Sequence, residues 1–376
     1  MVHSETALSP SGVLPPTAPS SAGRPGRDRF LDLLRLIAVV RVVLLHTCTK
    51  PPVIYLPWIQ WIFPGMAEVF FVSGVVTATS LRRRGGLAVV KARLRRLLPP
   101  YYAYAVVALL VMAVTDARSP LPNATLRRND VLSFLFPIVR PSGSVTRVIL
   151  WGHLWFLTTF LWVIVLAPLT FAIYKRFRLW SLLVHTSVFA ALVWCDKRGV
   201  FVVREELYNV AMFGWFFQLG YAYSDATLQR LRRGRLFAAG VALFVMGWLV
   251  AERIEPVWRK AVKEMYASQS AHFLVGAAWM LGVLALQRPI GAWLASRRLR
   301  VLDVVTQRTY TLFVWGPAAN AVAMAASRRI GGANGNLPIY LFVSALMLTG
   351  MVLAFGWIED LASKRSPQLF PHVART

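Results

Sequence analysis

The sequence predicts an all-α, polytopic membrane protein with about ten transmembrane helices and cytoplasmic N- and C-termini. Three observations lead there. Of the 376 residues, 57% are hydrophobic and only 15% are charged, which is more apolar surface than a soluble core hides. The apolar residues fall into runs long enough to cross hydrocarbon as helices. Many of the 14 tryptophans stand near the ends of those runs, as headgroup-level aromatic belts do.

The net charge is +26. In a soluble protein that would point to nucleic acid. Here Lys and Arg cluster in short segments between apolar runs, and no groove-reading motif is present. Membrane topology and anionic membrane lipids account for the charge, and no nucleic-acid partner is expected. Two cysteines, Cys48 and Cys195, make neither a disulfide framework nor a zinc site. They fall near the same predicted membrane face, so one bridge stays open beside the ordinary reading of two buried thiols.

Taken in chain order, residues 1–28 are rich in Ser, Pro, Ala and Gly and read as a disordered cytoplasmic tail. No signal-peptide core precedes the first apolar run, so that run is expected to remain as a helix. Spans are read at about 31–49, 59–81, 99–115, 149–173, 180–195, 207–223, 236–252, 271–287, 303–325 and 337–358. The 180–195 run is the weakest, being short and carrying His185. The membrane domain covers 29–360, and a cytoplasmic tail follows over 361–376. With the first segment entering from inside, most Lys and Arg fall in cytoplasmic segments. Asp116, Asp130, Asp196, Glu205, Glu206, Glu252, Glu255 and Glu264 all fall outside. The densest basic loop, Arg82 to Arg96, is then cytoplasmic, and the longest external loop spans about 116–148. The run from Gly331 to Asn336 reads as an external turn. The plasma membrane is the expected location.

Ionisable residues inside spans are costly and need a reason. The first span holds Arg35, Arg41 and His46. From Arg35 to His46 the helix turns by about 1100°, three turns plus about 20°, and rises by about 16 Å. The two therefore share a face near opposite ends of the span. Arg41 lies roughly 240° round from Arg35, and Asp32 is spaced to pair with Arg35. Alone, Arg35 also fits a snorkelling anchor, and His46 an interfacial histidine.

The sequence resembles the membrane-bound acyltransferase 3 family. The resemblance starts at Arg29-Phe-Leu-Asp-Leu-Leu-Arg35 and its spacing to His46. Glu68-Val-Phe-Phe-Val-Ser-Gly74 is similar to that family's Phe-Phe-x-x-Ser-Gly element. Arg93-Leu-Arg-Arg-Leu-Leu-Pro-Pro-Tyr-Tyr102 resembles its basic loop opening the third span. His153-Leu-Trp-Phe-Leu157 and Phe216-Phe-Gln-Leu-Gly220 resemble two further pieces. After Arg308-Thr-Tyr-Thr-Leu-Phe-Val-Trp315 members commonly carry His, and here Gly316 follows.

The resemblance implies an enzyme, an acyltransferase for groups other than aminoacyl. It would move an acyl group, often acetyl, from acyl-CoA (acetyl-CoA) to a hydroxyl of a sugar, glycan, lipid or antibiotic. It names no metal. His46 is then the candidate general base or acyl carrier, and Arg35 binds phosphate or stabilises developing negative charge. Glu68 either orients His46 or another cation, or neutralises a buried arginine. Arg93, Arg95 and Arg96 are candidates for the donor phosphates. Ser73 and Gly74 read as close-packing residues, Trp155 and Phe156 as packing, and Tyr101 and Tyr102 as interface markers. Tyr310 is within reach of a core cavity. His153, His185, His272 and His372 read as structural. Two other readings stay open: a transporter or flippase for a lipid-linked or acylated molecule, and a catalytically silent relative acting in assembly.

Overall fold

The structure is a computed structural model that describes residues 28–48, 61, 66–116, 126–143, 148–251, 269–297, 299–332 and 335–369. Side chains at 43–48, 300, 301, 303 and 304 lie outside that description.

Among the described residues the ordered elements are all helices. They are α1 (Arg29–Cys48), α2 (Ala67–Arg83), α3 (Gly86–Asp116), α4 (Arg128–Leu135), α5 (Trp155–Phe177), α6 (Leu179–Lys197) and α7 (Glu205–Ser224). There follow α8 (Arg233–Leu249), α9 (Gln269–Ala285), α10 (Gln287–Ala295), α11 (Arg300–Gln307), α12 (Thr309–Gly331) and α13 (Leu337–Ala362). A helix lies on each segment expected to span. Among the described residues, four helical stretches are long and apolar enough to cross a membrane: Gly86–Asp116, Val148–Phe177, Leu179–Lys197 and Leu337–Ala362. The α9–α10 pair, bent by 54°, raises this to five if it is one span. The run expected to be weakest, 180–195, is one of the four. Its single histidine is accommodated because His185 Nε2 lies 2.7 Å from the carbonyl of Ala211 on α7.

Two expected boundaries move. The 303–325 span is interrupted at Arg308, between α11 and α12, and α12 runs on to Gly331. Residues 126–136 do not stay at the far end of α3. Tyr101 Oη donates to Phe134 O at 2.7 Å and Tyr102 Oη to Leu135 O at 3.0 Å. Tyr101 is roughly 22 Å from Asp116 along the helix, so this segment folds back along α3. That cover makes Tyr101 fully buried rather than an interface marker.

The centre of the bundle is the α2–α7 crossing. A Cβ at Gly74 would stand 2.0 Å from Phe217 O, and one at Gly220 would stand 2.3 Å from Phe71 O. The Phe70-Phe71-Val-Ser-Gly74 and Phe216-Phe217-Gln-Leu-Gly220 pieces thus meet backbone to backbone, which only glycine permits. Phe70 then fills the space toward α5 and α7, with ring centroids 5.3 Å from Phe156, 5.4 Å from Phe160 and 4.7 Å from Phe213. Around this pair pack α1, α5 and α6, while α8 pairs with α9 and α12 with α13.

Candidate active site

Helical phase brings several stripes to one cavity of about 540 Å³. α1 supplies Arg35, Ala38 and Val39, three and four residues apart. α2 supplies Val69, Val72, Ser73 and Val76, and α5 supplies Phe156 and Phe160. From α3 come Arg93, Arg96 and Leu97, and from α12 come Thr309, Tyr310 and Phe313. Glu359 and Arg365 close the wall from the C-terminal end. One wall is therefore cationic and another apolar, with ring contacts such as Phe156–Phe313 at 4.4 Å shaping the apolar side.

The cations are organised. Arg35 Nη1 donates to Asp32 Oδ1 at 3.0 Å, the pairing its spacing predicts, and about a third of its side chain stays exposed. Arg93 feels both Arg96 and Arg35 as like charges. Glu359 is the acid beside Arg96. Its Oε2 accepts from the Thr311 backbone N–H at 3.2 Å and from Thr311 Oγ1 at 3.0 Å. Its Oε1 is 3.8 Å from Arg96 Nη2. A concave site with converging arginines and an apolar wall is suited to a ligand anionic at one end and apolar at the other.

The sequence candidates separate. Arg35, Arg93 and Arg96 are brought together. Arg95 is not, being exposed and absent from the cavity wall; one step of about 100° turns it away from Arg96. Glu68 is fully buried and lies off the cavity. Neither of its carboxylate oxygens has a hydrogen-bond partner among the described residues. Its charged neighbour is the buried Arg41, which also acts on His272 of α9. Of the roles open to Glu68, companion of a buried arginine is thus the one with a described partner. His46 lies on α1, which is helical throughout from Arg29 to Cys48, while its side chain is outside the described residues.

Tyr310 lines the cavity, as its expected reach implies, but sequence reading missed three other lining residues, Phe156, Glu359 and Arg365. Phe156 was expected to serve packing alone. Glu359 carried a usable signal, an acid beside a second acid at the end of an apolar run. Arg365 carried none. His153 is structural as expected, with Nε2 3.0 Å from Val314 O. Cys195 is a free thiol, and the side chain of Cys48 is among those not described.

A family model described as an acyltransferase domain matches residues 28–356. The chain belongs to the acyltransferase 3 family. It is accordingly a membrane enzyme that transfers acyl groups other than aminoacyl groups, and such an enzyme needs an acyl donor and an acceptor. No curated protein and no solved structure matches the chain. Within the family match lie Arg35, His46, Glu68, Arg93 and Arg96, whereas Glu359 and Arg365 lie beyond it.

Proposed function

We propose that this chain is a plasma-membrane O-acyltransferase with about ten crossings and both termini in the cytoplasm. It takes an acyl group, acetyl in the first instance, from cytoplasmic acyl-CoA and transfers it to a hydroxyl of a sugar, glycan, lipid or secondary metabolite. One observation carries the reading. Arg35, Arg93 and Arg96 share a cavity with an apolar wall of Val69, Val72, Phe156 and Phe160, and α1, which contributes Arg35, continues to His46. Donor phosphates suit the arginines, and the acyl-pantetheine arm suits the apolar wall.

In this mechanism Arg35 binds the donor and faces the negative charge that develops at the thioester carbonyl. His46 takes the proton of the acceptor hydroxyl as its oxygen attacks that carbonyl. The new C–O bond forms, the C–S bond breaks, and the CoA thiolate leaves and takes up the proton. In a two-step variant, His46 carries the acyl group between donor and acceptor. Glu68 acts from behind, balancing Arg41 beside the same helix. Arg95 contributes surface charge rather than a contact to the donor.

The test uses purified protein with radiolabelled acetyl-CoA and candidate glycans. His46→Ala is expected to abolish transfer while the protein still inserts, and full activity in that variant would remove His46 from the mechanism. Arg35→Lys keeps the charge but loses the planar fork, so a drop of at least about tenfold is expected. Unchanged kinetics would leave Arg35 as a membrane anchor. Mass spectrometry of surface glycans, lipids and secreted metabolites from deletion and wild-type cells names the acceptor by an acyl-sized mass difference.

A further inference from the structure

The family match ends at Gly356, but the cavity wall continues past it. α13 closes with a turn in which Arg365 N–H donates to Asp360 O at 2.8 Å and Lys364 N–H to Leu361 O at 2.9 Å. This is a Schellman-type ending. Its left-handed position is held by Lys364, at φ 57°, where glycine is the ordinary residue. A side-chain residue in that region is disfavoured by roughly 1–2 kcal/mol, so something must hold the turn.

Arg308 holds it. This residue is 1% exposed and gathers three acceptors. Nη1 donates to Gly356 O at 2.8 Å, and Nη2 donates to Asp360 Oδ2 and to Gln368 O, both at 2.7 Å. Gln368 N–H returns a bond to Asp360 Oδ2 at 3.2 Å. Gly356 leaves the room required, since a Cβ there would stand 2.9 Å from Arg308 Nε. The chain between Asp360 and Gln368 is thereby pinned as a loop, and that loop brings Arg365 to the cavity that Arg35, Arg93 and Arg96 line. Arg365 is exposed there.

We propose that Arg365 is a donor-binding residue whose guanidinium takes a phosphate of the acyl-CoA, with the Arg308–Asp360 clamp as its positioning device. The inference rests on the donor reading above and extends the site beyond the family-matched region. A fixed loop carrying Arg365, whose guanidinium has no ion-pair partner among the described residues, into a cavity already lined by three arginines adds a phosphate contact rather than a structural bond. The neighbouring Glu359 is occupied by Thr311 and Arg96, which leaves the Arg365 guanidinium for the ligand.

Equilibrium binding tests this on the full chain in lipid nanodiscs, with acetyl-CoA and with S-acetyl-pantetheine, which lacks the nucleotide. Arg365→Ala is expected to weaken acetyl-CoA about five- to tenfold and Arg365→Glu further. Neither should change the affinity for S-acetyl-pantetheine. Arg95→Ala, off the cavity, should match wild type with both ligands. Asp360→Asn should weaken acetyl-CoA in the same selective way by releasing the loop. Equal acetyl-CoA affinity in wild type and Arg365→Glu would overturn the proposal alone. Equal losses with both ligands would also overturn it, because phosphate would not be what Arg365 recognises. Wild-type protein that fails to bind acetyl-CoA would overturn the donor reading itself, and this proposal with it.

Discussion

Two glycines show how residue-scale geometry decides the sign of a substitution. At Gly74 an added methyl would collide with a backbone carbonyl of α7 at 2.0 Å. No rotamer change relieves that, so α2 and α7 must move apart. Gly74→Ala is expected to destabilise toward the upper end of about 1–3 kcal/mol, the usual range for overpacking. Gly316 is the contrasting case. It occupies the position where relatives commonly carry His, yet an added Cβ would meet only Leu348 Cδ2 at 4.0 Å. Gly316→Ala is expected to be neutral or to stabilise α12 by up to about 1 kcal/mol, through helix propensity alone. Thermal melts of both variants in one detergent check the pair. The opposite ranking would mean that the helix crossing is not where it is described. The motif resemblance marked both positions, but only the packing partner distinguishes a required glycine from a tolerant one.

At the scale of elements, the α5–α6 corner and the end of α7 are joined through Asp225. Its carboxylate accepts from Tyr174 Oη at 2.9 Å and the Thr227 backbone N–H at 3.1 Å, and it pairs with Arg178. Burial alone would push this carboxyl up. The Thr227 and Tyr174 hydrogen bonds and the Arg178 guanidinium outweigh burial and hold it below the usual carboxylate range. A depressed folded-state value means stabilisation present above the unfolded value of about 3.9 and lost as pH falls through the folded one. Wild type should therefore melt a few degrees above Asp225→Asn near neutral pH, and the two curves should converge in acid. A gap that persists or widens in acid would show that the charge is not what joins the helices. The helices themselves were legible in the sequence, because apolar runs and their charged flanks are local signals. The cavity was only half legible, and α3 shows why. Read as a loop, Arg82 to Arg96 has no phase, and its arginines look equivalent. Folded as helix from Gly86, the same run turns Arg93 and Arg96 inward and Arg95 outward. Glu359 meets Arg96 across most of the chain length, a pairing that no local spacing encodes.

For the whole molecule, the decisive quantity is which side of the membrane the arginine wall faces. A CoA donor carries several charges and does not cross hydrocarbon unaided, so the reading requires that wall to be reached from the cytoplasm. Orientation is assigned from Arg82, Arg83 and Arg84, at the C-terminal end of α2, against the concentration of acids in the segments assigned outside. Helical stretches long and apolar enough to cross number four, or five with the bent pair, among the described residues. The count of about ten therefore leans on shorter or more polar helices such as α1 and α2 being shielded by their neighbours, as the buried Arg41 and Glu68 are. Single cysteines at two exposed positions test count and orientation together, in a background with Cys48 and Cys195 replaced. Arg84→Cys should react with a membrane-impermeant maleimide only after permeabilisation, and Arg329→Cys, at the end of α12, should react on intact cells. Labelling of both from outside would break the crossing count between α2 and α12. A reversed pattern would keep the bundle but turn the arginine wall away from the cytoplasm, and the acyl-CoA donor would have to be given up.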